Sequence, residues 1–139
     1  MRILGLDVGD KTIGVSVSDE LGWTAQAVEV IRRSENDPEE DFNRLSQLIQ
    51  QYSIEKFIIG LPKNMNGTIG PRGELCQQFA EEVKARTGLP VQMWDERLST
   101  MAAKRTLLEA DMSRKKRKQV IDKVAAVVIL QGFLDSQNR

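Results

Sequence analysis

The sequence predicts an α/β domain on a five-stranded mixed sheet, three antiparallel strands then two helix-linked parallel strands, with helices on both faces. Two observations carry this. Three alternating apolar runs follow one another at the amino end, joined by short polar turns. Two short unbroken apolar runs come later, each preceded by an amphipathic stretch of helical period. At 139 residues the chain reads as a single domain, 1–139, long enough to bury a core.

Residues 2–8 (RILGLDV) and 12–19 (TIGVSVSD) are rich in Val and Ile and flank a short glycine turn, the pattern of two antiparallel strands. Residues 24–32 (TAQAVEVIR) alternate likewise and complete a meander. In SENDPEE, Asp37 supplies a helix cap, Pro38 a first helical position and the acids a first turn. Phe42, Leu45, Leu48 and Ile49 then recur at helical spacing to about Tyr52. KFIIGLP (56–62) reads as a buried strand ended by Pro62, and KNMNGTIGPRG as an exposed loop. A second helix begins near Pro71 or Arg72, turns Leu75, Phe79 and Val83 inward, and stops at Gly88. LPVQMWDE (89–96) is another short strand, and Ser99 or Thr100 can cap a third helix with Ala102, Ala103, Leu107 and Leu108 inward. Residues 111–119 are polar and basic, and an apolar helix follows from about Gln119 to Leu134. Trp23 and Trp94 read as core or edge packing residues, and Cys76 as a buried small hydrophobe. This order fits the ribonuclease H-like architecture, and other α/β sheets as well.

Twenty basic and twenty acidic residues cancel, so only the distribution of charge can point to a partner. The absence of histidine excludes Ser-His-Asp and Cys-His chemistry, and a single cysteine without histidine excludes the common zinc sites. A metal would therefore sit on oxygen ligands, which favours Mg²⁺ or Mn²⁺. With no leader pattern and no apolar run of about 18 residues, the chain is expected to be cytoplasmic, with no membrane partner.

Asp7 falls at the end of the first strand, Asp95 and Glu96 at the end of the last, and Asp122 in the final helix. Ligands of open α/β sheets gather outside the carboxyl ends of strands, so the first two sets share a rim. Asp122 lies on one stripe with Ala125, Ala126 and Ile129, small neighbours that allow the helix close to the sheet. Three clustered carboxylates call for a divalent cation, and a metal pair in such a site can cleave a phosphodiester. Asp7 could equally stabilise the Gly9 turn through its backbone, and Asp95 and Glu96 could be a solvated rim. Strand alternation turns one of the latter two into a site, and Glu96 is chosen, with Arg97 pairing to it or binding phosphate. Lys63, Asn64, Asn66 and Arg72 of the glycine-rich loop can grip a nucleic-acid backbone, unless the loop is merely a surface turn. Arg114, Lys115, Lys116, Arg117 and Lys118 form a basic block close upstream of Asp122, either a solvated face or an RNA or DNA contact. No aromatics interleave with it, so base stacking is not expected there.

LGLDVGDKTIGVSVSD, IIGLPKNMNGT, WDERLST and IDKVAAVVIL, in this order and spacing, resemble the YqgF family, also called RuvX, over residues 3 to about 134. The resemblance implies a ribonuclease H-like fold related to the RuvC Holliday junction resolvases. It also implies a nuclease that matures the 5′ end of pre-16S rRNA, with ribosomal particles as partners, or one that resolves branched DNA. By motif, Asp7, Glu96 and Asp122 carry over as catalytic, metal-holding acids. Asp10 departs from the commonest family pattern, Thr or Ser, and adds negative charge beside the site. Two rival readings stand beside this one. DVGDKT also resembles the first phosphate motif of actin-like and sugar-kinase-like ATPases, although no second such motif follows. A nonenzymatic RNA-binding, ribosome-assembly module would keep the basic block without needing the acids. Either a monomer or a homodimer is compatible with the sequence.

Overall fold

The computed structural model describes residues 1–96 and 114–138, with the backbone alone over 114–123. Its elements are β1 (Arg2–Val8), β2 (Thr12–Ser18), β3 (Ala25–Arg32), α1 (Pro38–Tyr52), β4 (Ile54–Leu61), α2 (Pro71–Thr87), β5 (Val91–Asp95) and α3 (Arg114–Gln137). The strands form one sheet in the order β3-β2-β1-β4-β5. The β1–β2 and β2–β3 pairs are antiparallel, while β4 pairs in parallel with both β1 and β5.

Alternation along the strands divides the core into two layers. Leu4, Leu6 and Val8 of β1, with Ile13, Val15, Phe57 and Ile59 from neighbouring strands, pack against Phe42, Leu45 and Leu48 of α1 and Cys76, Phe79 and Val83 of α2. The opposite face of β1 and β4 presents Ile3 and Ile58 to Ile129, Leu130, Phe133 and Leu134 of α3. Asp37 caps α1 by accepting the Glu39 amide at 3.1 Å, with Pro38 at the first helical position.

Gly5 lies beneath α3. A Cβ built on it would stand 2.5 Å from Ser16 Oγ and 2.7 Å from Leu130 Cβ, closer than packed atoms come. Ser16, on the adjacent strand, donates its hydroxyl to the Ala126 carbonyl at 2.7 Å and fixes the helix at that height. The carboxyl end of α3 is tied to the β2–β3 turn: Gln131 Oε1 accepts from Ala25 N at 2.9 Å, and Asn138 Nδ2 donates to Gly22 O at 2.8 Å. That turn stands beside Met1, whose amino group donates to Glu20 O at 3.0 Å. The amino end of α3 therefore points toward the carboxyl ends of β1, β4 and β5.

Several expectations change. Leu75 is 52% exposed, because the inward stripe of α2 runs through Gly73, Cys76, Phe79, Ala80 and Val83 instead. Trp23 is 57% exposed on the β2–β3 turn rather than packed in the core, whereas Trp94 is half-buried edge-on against Phe133, ring centroids 6.2 Å apart. Residues 114–118 already lie in helix, since Lys and Arg are good helix formers and the apolar run was not its boundary. The helix expected from Ser99 or Thr100 falls outside the described residues.

Gly5→Ala should lower stability by about 1–3 kcal/mol, since the added methyl meets a Cβ and a helix carbonyl rather than a flexible chain end. Urea denaturation of the two proteins checks this.

Candidate active site

Ile3, Gly5 and Asp7 share the face of β1 that α3 covers, so alternation sends the Asp7 carboxylate to that side at the end of the strand. It is half-buried, and among the described residues it accepts no hydrogen bond and forms no ion pair. The chain then turns at Gly9, whose amide donates to Thr12 O at 2.8 Å. Two arginines from different elements close on this corner. Arg33, just past β3, donates Nη1–H to the Gly9 carbonyl at 2.9 Å. Arg72, in the first turn of α2, brings Nη2 to 3.7 Å from the position of a Gly9 Cβ.

Glu96 follows β5 on the same face as Asp7. Trp94, two residues earlier, packs into the α3 layer, while Asp95 faces away and pairs with Lys63 at 3.8 Å. What lets Glu96 reach inward is Gly60. A Cβ at Gly60 would fall 2.7 Å from Glu96 Oε1 and 2.5 Å from Ile129 Cδ1, so the carboxylate lies over a stretch of β4 that has no side chain. The pairings Leu6 with Ile59 and Gly60 with Trp94 set Gly60 between β1 and β5 at the level of Asp7. The two strands stand about 10 Å apart across it, and the Glu96 side chain spans part of that gap.

The backbone of Asp122 sits one helical turn before Ala126. From the contact of Gly5 with Ala126, two residues along β1 to Asp7 advance about 6.6 Å, and four residues back along α3 about 6 Å in the same direction. Position 122 and Asp7 thus stand at matching heights. Among the described residues no three acidic, His or Cys side chains converge as metal ligands; the Asp122 side chain is outside that set.

Cys76 is buried close to this rim. Its buried thiol is pushed up to about 11, first by burial, then by the Glu96 carboxylate, with Asp7 adding and Arg72 and Arg33 opposing. Two acids and two arginines from four parts of the chain therefore act on one thiol, itself 3.6 Å from the Val8 carbonyl.

The loop residues divide. Asn64 donates Nδ2–H to Thr68 Oγ1 at 3.0 Å, and Asn66 Oδ1 accepts the Thr68 hydroxyl at 2.6 Å, so both amides shape the turn. Lys63 lies 3.8 Å from Asp95, and Arg72 alone of the four reaches the Asp7 corner. Arg97 lies outside the described residues, and Arg114, Lys115, Lys116, Arg117 and Lys118 are described by their helical backbone alone. Sequence reasoning missed Arg33 and Gly60. An isolated glycine inside a strand signals close approach and could have revealed Gly60; Arg33 resembles any charged strand end.

A family model described as RuvX: Holliday junction resolvase matches residues 1–136. The chain belongs to the RuvX family. Curated RuvX-like relatives from Bacillus thuringiensis (strain Al Hakam) and Bacillus anthracis (strain CDC 684 / NRRL 3495) carry the name "Putative pre-16S rRNA nuclease". Each is 67% identical over 137 residues, covering 99% of this chain and 100% of the relative. Among solved structures, T. thermophilus RuvC in complex with Holliday junction substrate matches with a TM-score of 0.59 at 16% identity, over 99% of this chain and 96% of that one. The fowlpox virus Holliday junction resolvase matches at 0.57 and 14% identity, over 99% of each. At such identities the likeness gives the fold, which is the ribonuclease H-like fold of RuvC-type resolvases.

Gly60→Ala should leave the protein folded, because the added methyl meets the Ile129 and Glu96 side chains and no backbone, and should displace the Glu96 carboxylate. The rise in melting temperature with Mn²⁺ should shrink in G60A relative to wild type, read by thermal shift.

Proposed function

We propose that this protein is a divalent-metal-dependent endonuclease for structured nucleic acid, with the 5′ end of pre-16S rRNA as its substrate. Nuclease activity, a hydrolysis of phosphodiester bonds, follows from membership of the RuvX family and from full-length relatives at 67% identity. The observation that carries the choice of residues is the placement of Asp7 and Glu96 on one sheet face across the side-chain-free Gly60, at the height of position 122.

The donor set fits a hard cation. Asp7 and Glu96 offer oxygen ligands, the missing side chain of Gly60 lets the Glu96 carboxylate lie across β4, and Asp7 has no hydrogen-bonding or ion-pair partner among the described residues. Asp7, Glu96 and Asp122 would hold Mg²⁺ or Mn²⁺, which supplies an activated water and neutralises charge developing on the phosphate. The protein's own groups do the rest. Asp7 is held by β1 and by the Gly9 turn, and Glu96 is held against Gly60 and Ile129. Arg72 stands where a phosphate of the substrate strand would approach the corner, and Lys63 and the basic residues 114–118 extend the contact outward. No described helix is long and apolar enough to cross a membrane, and a pre-rRNA substrate would place the activity in the cytoplasm on ribosomal particles.

A second reading, resolution of four-way DNA junctions, is favoured by the family description alone. A labelled rRNA precursor and a four-way junction, each incubated with Mg²⁺ or Mn²⁺, decide between them. Asp7→Asn should reduce cleavage of the preferred substrate roughly a thousandfold. Its melting temperature without metal should not fall, because the change removes negative charge and almost no volume. Cleavage at the wild-type rate by D7N would remove Asp7 from the mechanism.

A further inference from the structure

Arg33 is held from three sides. Its Nε lies 3.7 Å from Oδ2 of Asp41, a carboxylate only 3% exposed in the first turn of α1. Its Nη1 donates to Gly9 O at 2.9 Å, and its guanidinium carbon lies 5.4 Å from the centroid of the Phe79 ring. Asp41 is oriented in turn by the Ser34 amide, 3.3 Å from Oδ1. Nη2 has no partner among the described residues, and the side chain is 30% exposed. A guanidinium fixed in this way, with one edge unused, has already lost the rotamer freedom that binding an oxyanion would otherwise cost.

Arg72 reaches the same corner from α2, and among the described residues it forms no ion pair. Two cations from separate elements thus flank Gly9, two residues beyond Asp7. If Arg33 served only to neutralise Asp41, an arginine reaching the corner would be unnecessary, since Asp41 lies in α1. The contact with the Gly9 carbonyl links the buried ion pair to the turn that carries the proposed catalytic acid.

We propose that Arg33 and Arg72 form a two-guanidinium clamp that binds a backbone phosphate of the substrate strand at the Gly9 corner, beside the bond to be cut. The clamp rests on the nuclease reading. It adds Arg33 as a substrate-binding residue and places a phosphate on the β1–β2 turn side of Asp7, away from Glu96. Asp41 is then a positioning residue that acts through Arg33.

The test is made in an Asp7→Asn background, where binding is measured without turnover. The probe is a fluorescent stem-loop RNA carrying the 5′ end of 16S rRNA with its precursor leader, and anisotropy is followed across a salt series. Arg33→Gln should weaken binding about tenfold, as for loss of a charge-assisted contact. It should also reduce the slope of log K against log salt by about 0.7 to 0.9, one phosphate contact. Arg72→Gln should do the same, and Asp41→Asn should weaken binding with a smaller change in slope. A purely structural Arg33 would lower the melting temperature of R33Q and leave affinity and slope at the parent values, which overturns the clamp. Should R33Q fail to fold, phenylglyoxal modification of the wild type, mapped by mass spectrometry, replaces it. Protection of Arg33 and Arg72 by the RNA supports the clamp, and equal modification of Arg33 with and without RNA overturns it. Wild-type cleavage measured alongside separates the two proposals. Cleavage with unchanged R33Q binding overturns the clamp alone, whereas a wild type that neither cuts nor binds overturns the nuclease reading and the clamp with it.

Discussion

The close approach of α3 to the sheet is the constraint on which the site depends. It is possible because β1 and β4 present glycines, Gly5 and Gly60, on the face the helix covers. Gly5 lets the helix backbone come down to the strand, and the Ser16 hydroxyl fixes its height by bonding to Ala126 O. Gly60 then leaves space at the carboxyl edge, which the Glu96 side chain and Ile129 fill. A larger residue at Gly5 would lift α3, and one at Gly60 would displace the Glu96 carboxylate. Packing and chemistry are thus set by the same missing side chains.

Electrostatics give the edge its second property. The chain has no net charge, yet acids and arginines are unevenly placed along this rim. Asp7 and Glu96 lie on the α3 side, and Arg33 and Arg72 close on the turn from the other elements. A carboxylate pair flanked by guanidiniums suits a ligand that brings both a divalent cation and a polyanion, since each part of the ligand meets its own set of groups. Burial, more than these charges, pushes the Cys76 thiol up to about 11.

The strands and first two helices were legible because local signals agreed: alternation in β1 to β3, the Asp37–Pro38 start of α1, and the glycine after α2. Strand alternation implied that only one of Asp95 and Glu96 enters a site, and their side chains do take opposite sides, Asp95 toward Lys63 and Glu96 over Gly60. Leu75 and Trp23 were misjudged because hydrophobicity alone does not say which face of a helix or turn meets the core. Arg33 was invisible for a different reason: its meaning comes from Asp41 on α1, Phe79 on α2 and Gly9 on the β1–β2 turn, contacts that exist only once the sheet has formed. The bonds of Asn64 and Asn66 to Thr68 were not legible, because such local bonding has no sequence signature beyond ordinary turn composition.

Asp7, Glu96 and position 122 are proposed to surround one cation site at Gly60. Crystals soaked in Mn²⁺ and measured at an energy where manganese scatters anomalously test it most directly. An anomalous peak touching both the Asp7 and Glu96 carboxylates is expected. A structure in which manganese is bound elsewhere, with these two carboxylates making no contact to it, would contradict it.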